Sequence, residues 1–252
     1  MRGEVATFLL AVQFLTRLPI RSTELYSEDR MAASVRYYPL VGVLVGSVCA
    51  AFYAAASFVL PSYMAVLLAI AVGLLLTGAF HEDGLADTYD GIGGGLTREK
   101  SLEIMKDSRL GTYGTLALVV MLSLKAGSLI ALEAEFVVAA LIAGHGLSRL
   151  SSVLVIATSS YVRDHGTGKP VAGGLSIASL VVVLMTGVIV ALVWCFVFSP
   201  LSLLFAVLGV MIGHILMRLF FERKLGGYTG DTLGTVQQAS EVGFYLGLAA
   251  WV

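Results

Sequence analysis

Charge is scarce in this sequence. Of its 252 residues only 13% are Asp, Glu, Lys or Arg, where soluble domains carry about a quarter, and the shortage argues against a water-soluble globule. Cysteine is rarer still. Cys49 and Cys195 both stand inside apolar runs, so they read as small buried hydrophobes and not as a disulfide or a zinc site. Neither sign of charge is in excess: the formal net charge is −1, and without a basic surplus no nucleic-acid partner is expected. No cleavable leader is evident, because MRGEVATFLLAVQFL has no small-residue cleavage site and polar sequence follows it. No repeat period and no linker divide the chain, so residues 1–252 read as one membrane-embedded domain.

What the sequence has in abundance is apolar surface: 58% of it is hydrophobic and the mean hydropathy is +0.90. A hydrocarbon core about 30 Å thick needs about 20 apolar helical residues. Six stretches meet that need, at roughly 39–60, 62–80, 112–132, 136–158, 174–198 and 201–221. A seventh, 234–252, is weakened by Gln237, Gln238 and Glu241, and 4–16 is too short to span and reads as interfacial or re-entrant. The expected fold is all-α: a polytopic membrane bundle of six to seven transmembrane helices. The turns at 60–62, 133–135 and 199–200 carry no Lys or Arg. The N-terminal arm and the loops 81–111, 158–173 and 222–233 hold every Lys and Arg outside the spans, which makes that side cytoplasmic. The expected location is the inner (cytoplasmic) membrane, with the site facing the cytoplasm.

Three loop segments on that side carry chemistry. In His81 to Gly91 (HEDGLADTYDG), Asp83, Asp87 and Asp90 are spaced i, i+4, i+7. If the second helix continues past the membrane, all three share one face. Converging carboxylates repel one another unless a cation compensates, and hard oxygen ligands suit Mg2+, which binds substrate phosphates as well. The plainer alternative is a solvated helix end. His81 is either a catalytic base or a hydrogen-bonded neighbour, and Glu82 points off the aspartate face as a bystander. In Met105 to Gly114 (MKDSRLGTYG), Lys106, Asp107, Ser108 and Arg109 precede a helix N-terminus, a good anion site unless they only anchor the chain at the interface. In Leu225 to Gly234 (LGGYTGDTLG), Gly227, Thr229 and Asp231 describe a tight loop where backbone approaches a ligand. Acid cluster, metal and cationic cradle together suggest phosphoryl transfer.

Lys125, His145, Arg149 and Glu241 fall inside the apolar stretches. Charges at such depth are costly and face the bundle interior with a partner. Lys125 and Arg149 therefore either pair with Glu241 or contact substrate.

These segments, together with Phe14 to Pro19 (FLTRLP) and Pro39 to Gly46 (PLVGVLVG), resemble in order the signature segments of the cobalamin synthase family, the adenosylcobinamide-GDP ribazoletransferases. Glu82 departs from the apolar residue typical there. The resemblance implies a membrane enzyme of cobamide biosynthesis that joins adenosylcobinamide-GDP to α-ribazole, or its 5′-phosphate, and releases GMP with Mg2+ as cofactor. Asp83, Asp87 and Asp90 would then hold the metal against the diphosphate, with one of them or His81 as general base. Lys106 and Arg109 would clamp phosphate oxygens, and Asp107 and Asp231 would serve a second metal or the ribose.

Two other readings compete. A CDP-alcohol-type lipid phosphotransferase carries D-x2-D-G-x2-A-R; Asp87 to Gly91 begins that way, but Gly94 and Gly95 stand in place of Ala-Arg. A secondary transporter would account for the intramembrane charges, but not for chemistry concentrated in loops and not for the lack of a repeat.

Overall fold

The computed structural model describes residues 2–20, 26–163, 168–172 and 175–252. They form eleven α-helices and two 3-10 turns, with no strand among the described residues. α1 (Arg2–Leu15) and α2 (Glu28–Ser34) are short. α3 (Tyr38–Ser57), α4 (Ser62–Thr77), α7 (Thr112–Ile130), α8 (Ala134–Thr158), α9 (Ile177–Val197) and α10 (Pro200–Leu225) coincide with the six apolar stretches to within a few residues. Position 174, where the fifth stretch was expected to begin, lies outside the described residues. Five helical segments are long and apolar enough to cross a bilayer, or six if α4 and the helix after it count as one bent span.

The expected continuation of the second helix through the aspartates is not observed. α4 stops at Thr77, and Gly78 (φ 65) and Ala79 (φ 53) both take the left-handed conformation. Gly78 suits this helix-terminating position because it has no Cβ. Ala79 accepts a conformation that L-residues disfavour. The chain then turns by 86° into α5 (Phe80–Gly94). With 15 residues, α5 is too short to cross the bilayer alone. It lies across the loop-rich end of the bundle, outside the spanning segments, and α6 (Arg98–Ile104) follows it.

The weak seventh stretch becomes α11 (Gly230–Trp251), 22 residues long. At about 1.5 Å per residue it has the length of a span, but its polarity hides it from hydropathy. Gln237, Gln238, Ser240 and Glu241 are nonetheless all buried, because α11 packs against α5, α7, α8 and α10. Glycines bring it close to α10. A Cβ on Gly209 would lie 1.9 Å from the Gly243 carbonyl oxygen, and one on Gly213 2.3 Å from that of Ala239. This is the small-residue contact that lets membrane helices pack backbone to backbone. Gly42 and Gly46 seat α3 on α8 in the same manner.

The intramembrane charges find one another inside this bundle. Lys125 Nζ lies 3.1 Å from Glu241 and 2.9 Å from Gln238 Oε1. Glu241 also accepts from Gln237 Nε2 (2.6 Å) and the Tyr245 hydroxyl (3.1 Å). Arg149 donates to the His145 carbonyl (3.0 Å) and meets that residue's Nδ1 at 3.2 Å. Glu82 is no bystander: it is 8% exposed and its carboxylate stands 3.8 Å from Lys125. It points off the aspartate face, as the spacing requires, and the face it occupies is turned toward Lys125 inside the bundle.

Candidate active site

α5 and the first turn of α11 cross at the loop-rich end, and glycine permits the crossing. A Cβ on Gly84 would lie 2.7 Å from the Asp231 carbonyl oxygen, and one on Gly234 2.8 Å from that of His81. Thr229 fixes where α11 begins. Its side chain caps the helix reciprocally with Thr232, and both residues are fully buried. Thr229 is thus a helix cap. The expectation that the glycine-rich loop exposes backbone to a ligand is corrected at Gly227. Its backbone faces protein: a Cβ there would meet the Ser160 carbonyl oxygen at 2.2 Å, and Tyr228 pairs with residues 160–162 through two backbone hydrogen bonds.

The crossing gathers Asp83, Asp87 and Asp231. Asp83 is exposed and Asp87 half-buried. Burial, and then the Asp231 and Asp83 carboxylates, push the Asp87 pKa up to about 7. Asp90 shares their helical face but serves differently. Seven residues of helix cover about 10 Å, enough to carry Asp90 from α11 to the start of α7. There its two oxygens accept the Gly111 and Gly114 amides at 2.7 and 2.9 Å. A Cβ on either glycine would sit 2.4 Å from an Asp90 oxygen, so the site is built around that carboxylate. Asp90 caps α7.

A residue that sequence reasoning missed completes the cluster. Arg163 stands 2.8 Å from Asp231 Oδ2. The contact falls outside hydrogen-bond geometry, and Arg163 Nε and Nη2 and Asp231 Oδ2 are buried without a hydrogen-bond partner. Nothing in its spacing marked Arg163, one of several cations in a long loop.

Lys106, Ser108 and Arg109 are exposed on the rim. Arg109 donates to Asp107 at 3.0 Å, and these hydrogen bonds hold the Asp107 pKa down at about 2. Lys224 reaches the Leu96 carbonyl at 2.9 Å and so ties two loops together. His81 is buried behind the crossing, its ring edge-on to Phe80, and lines the inner cavities beside Arg149. Lys125 and Arg149 lie in the buried charge network and not at the acidic mouth.

No three acidic, His or Cys side chains among the described residues converge closely enough to cage a metal. Magnesium seldom needs such a cage: one or two carboxylates and substrate phosphates suffice. Asp83, Asp87 and Asp231 fit that role. They are hard oxygen donors, and the Asp231 and Asp83 carboxylates both add to the repulsion at Asp87.

Comparison with known proteins identifies the family. The family model described as cobalamin-5-phosphate synthase matches residues 7–249. A protein of Shewanella frigidimarina (strain NCIMB 400) is 43% identical over 248 residues, which cover 96% of this chain and 94% of the relative. One of Shewanella woodyi (strain ATCC 51908 / MS32) is 42% identical over 255 residues, 98% of this chain and 96% of the relative. One of Shewanella baltica (strain OS185) is 44% identical over 247 residues, 96% and 93%. All three are named adenosylcobinamide-GDP ribazoletransferase. No solved structure matches. With a family model spanning nearly the whole chain, and relatives this similar along nearly all of it, the chain belongs to the cobalamin-5-phosphate synthase family.

Proposed function

We propose that this protein transfers the phosphocobinamide group of adenosylcobinamide-GDP to α-ribazole, or to its 5′-phosphate, and releases GMP. The observation that carries this reading is the meeting of Asp83 and Asp87 on α5 with Asp231 and Arg163 at the loop-rich end. It supplies carboxylates for a phosphate-bound cation and a guanidinium for the phosphate itself. The relatives' names supply the substrates.

The ribazole 3′-hydroxyl oxygen bonds to the phosphorus that carries the cobinamide. The bond from that phosphorus to the bridging oxygen breaks, and the oxygen leaves with GMP. The hydroxyl proton passes to a carboxylate of the cluster. Asp83, Asp87 and Asp231 would hold Mg2+, which neutralises charge that builds on the diphosphate. Asp90 supports the cluster from α7, with both oxygens engaged by backbone amides. Arg163 turns its free Nε and Nη2 donors to phosphate oxygens, a task its fork geometry suits. Lys106 and Arg109 on the rim attract the donor's anionic end. The bias of Lys and Arg toward this end supports a cytoplasmic orientation, which is where a nucleoside-diphosphate donor is found.

The test is release of GMP from adenosylcobinamide-GDP by the detergent-purified protein, with and without α-ribazole. Release that requires the acceptor supports the reading. Movement of a corrinoid across proteoliposomes without GMP release contradicts it and favours a transporter.

A further inference from the structure

Behind the acidic mouth a thin slot opens between α1, α3, α5, α8 and α11. Its cavity is about 40 Å³ within about 480 Å³ of empty space counted out to the mouth. The rings of Phe14, Tyr38 and Phe80 wall it, Leu233 closes one side, and Arg149 reaches in from α8. Phe14 lies nearly parallel to Tyr38 (ring centroids 6.0 Å, interplanar angle 15°) and edge-on to Phe80 (5.4 Å). Aromatic walls favour a flat ring; the slot is closed in this structure, since an apolar cavity that holds benzene measures about 150 Å³, so a bicyclic ring enters as these side chains part.

Two polar atoms in this apolar slot have nothing to bond. Tyr38 is 5% exposed and Arg149 2%, and Tyr38 Oη and Arg149 Nε are buried without a hydrogen-bond partner. A buried donor left unpaired is costly, and native structures keep few of them without a reason. Both can donate, and no acidic side chain lines the slot. A ligand that fits is therefore flat, apolar and an acceptor. The slot also ends beside the chemistry. Gly230 lines it, and the next residue is Asp231, one Cα–Cα step of about 3.8 Å away. A ribose can bridge that separation.

We infer that this slot is the subsite for the aromatic base of the acceptor nucleoside, an assignment that rests on the ribazole-transfer reading. The base of ribazole is a benzimidazole: planar, apolar, and with a single unsubstituted ring nitrogen that accepts and donates nothing. The one lone pair of that nitrogen accepts from the Tyr38 hydroxyl, with Arg149 beside it, while the ribose carries its 3′-hydroxyl toward Asp231.

Two variants test this in the full-length protein. Tyr38→Phe removes one hydroxyl and keeps the ring; Phe80→Leu removes one aromatic wall. For each, KM is measured for α-ribazole and for adenosylcobinamide-GDP, and α-ribazole binding is measured directly by calorimetry. The KM and Kd for α-ribazole rise about 3- to 10-fold in Tyr38→Phe, the worth of one hydrogen bond, and rise also in Phe80→Leu. The donor KM, and kcat at saturating α-ribazole, stay unchanged. Free 5,6-dimethylbenzimidazole competes with α-ribazole, and GMP does not. An unchanged α-ribazole affinity in both variants overturns the assignment, as does a rise in the donor KM alone. If the wild type releases no GMP, the ribazole-transfer reading fails; weaker α-ribazole binding in the variants still supports the slot, and unaltered binding still sinks it.

Discussion

Arg163 lies 2.8 Å from the carboxylate of Asp231 while its Nε and Nη2 remain buried and unbonded. On the proposed function these two donors meet phosphate oxygens.

The first prediction concerns Arg163. Arg163→Ala is expected to lower kcat about 100- to 1,000-fold, the usual loss when one donor to transition-state charge is removed. Arg163→Lys keeps the charge but not the fork and should recover only part of the activity. Steady-state GMP release checks both.

The aspartates separate by role. Asp83→Asn, Asp87→Asn and Asp231→Asn should abolish turnover; the first two should leave the melting temperature close to that of the wild type, and Asp231→Asn should lower it through the lost Arg163 partner. Asp90→Ala is expected to unfold more readily. It strands two amides at the start of α7, and each hydrogen bond to a charged group is worth about 1.5–3 kcal/mol. Thermal melts and activity of the same four preparations distinguish the two patterns. Gly114→Ala should resemble Asp90→Ala, because its Cβ would lie 2.4 Å from an Asp90 oxygen.

Magnesium affinity should depend on pH through Asp87. Burial and the Asp231 and Asp83 carboxylates raise its pKa to about 7, so without metal the folded protein holds this proton between about pH 4 and 7 while the unfolded chain has released it. The sign follows: this group's contribution to stability falls as pH rises through that window. Metal binding displaces the proton. Apparent Mg2+ affinity should therefore rise as pH is raised toward 7 and level off above it, and Asp87→Asn should flatten that dependence. Calorimetric titration at several pH values measures it.

The buried charges predict a coupled pair. Lys125→Met leaves Glu241 without its 3.1 Å partner, and breaking a buried pair costs about 3–5 kcal/mol. Adding Glu241→Gln should return most of that loss. Additive losses in this double-mutant cycle would contradict the pairing.

Much of the fold was legible because lipid-facing helices announce themselves by hydropathy: α9 and α10 expose apolar side chains along nearly their whole length. α11 was faint for the converse reason, since its glutamines and Glu241 are buried and find partners in Lys125 on α7 and Ser148 on α8. The break at Gly78–Ala79 was missed because the apolar run continues through it, and only a backbone conformation marks it. At the site, the i, i+4, i+7 spacing placed three aspartates on one face. It could not show that the start of α7 would bond both oxygens of Asp90 or that α11 would bring Asp231 near Asp83 and Asp87, since both depend on which helices cross α5. Glu82 shows the same limit: leaving the aspartate face put it opposite Lys125 in the core.

The most direct test of the central claim is Mg2+-dependent GMP release from adenosylcobinamide-GDP and α-ribazole, measured side by side for the purified wild type and Asp87→Asn. The wild type is expected to release GMP only when Mg2+ and α-ribazole are both present, and the folded Asp87→Asn protein to release none. Equal release by the two proteins, or release by the wild type that persists in chelator, would contradict a carboxylate-held metal at the crossing of α5 and α11.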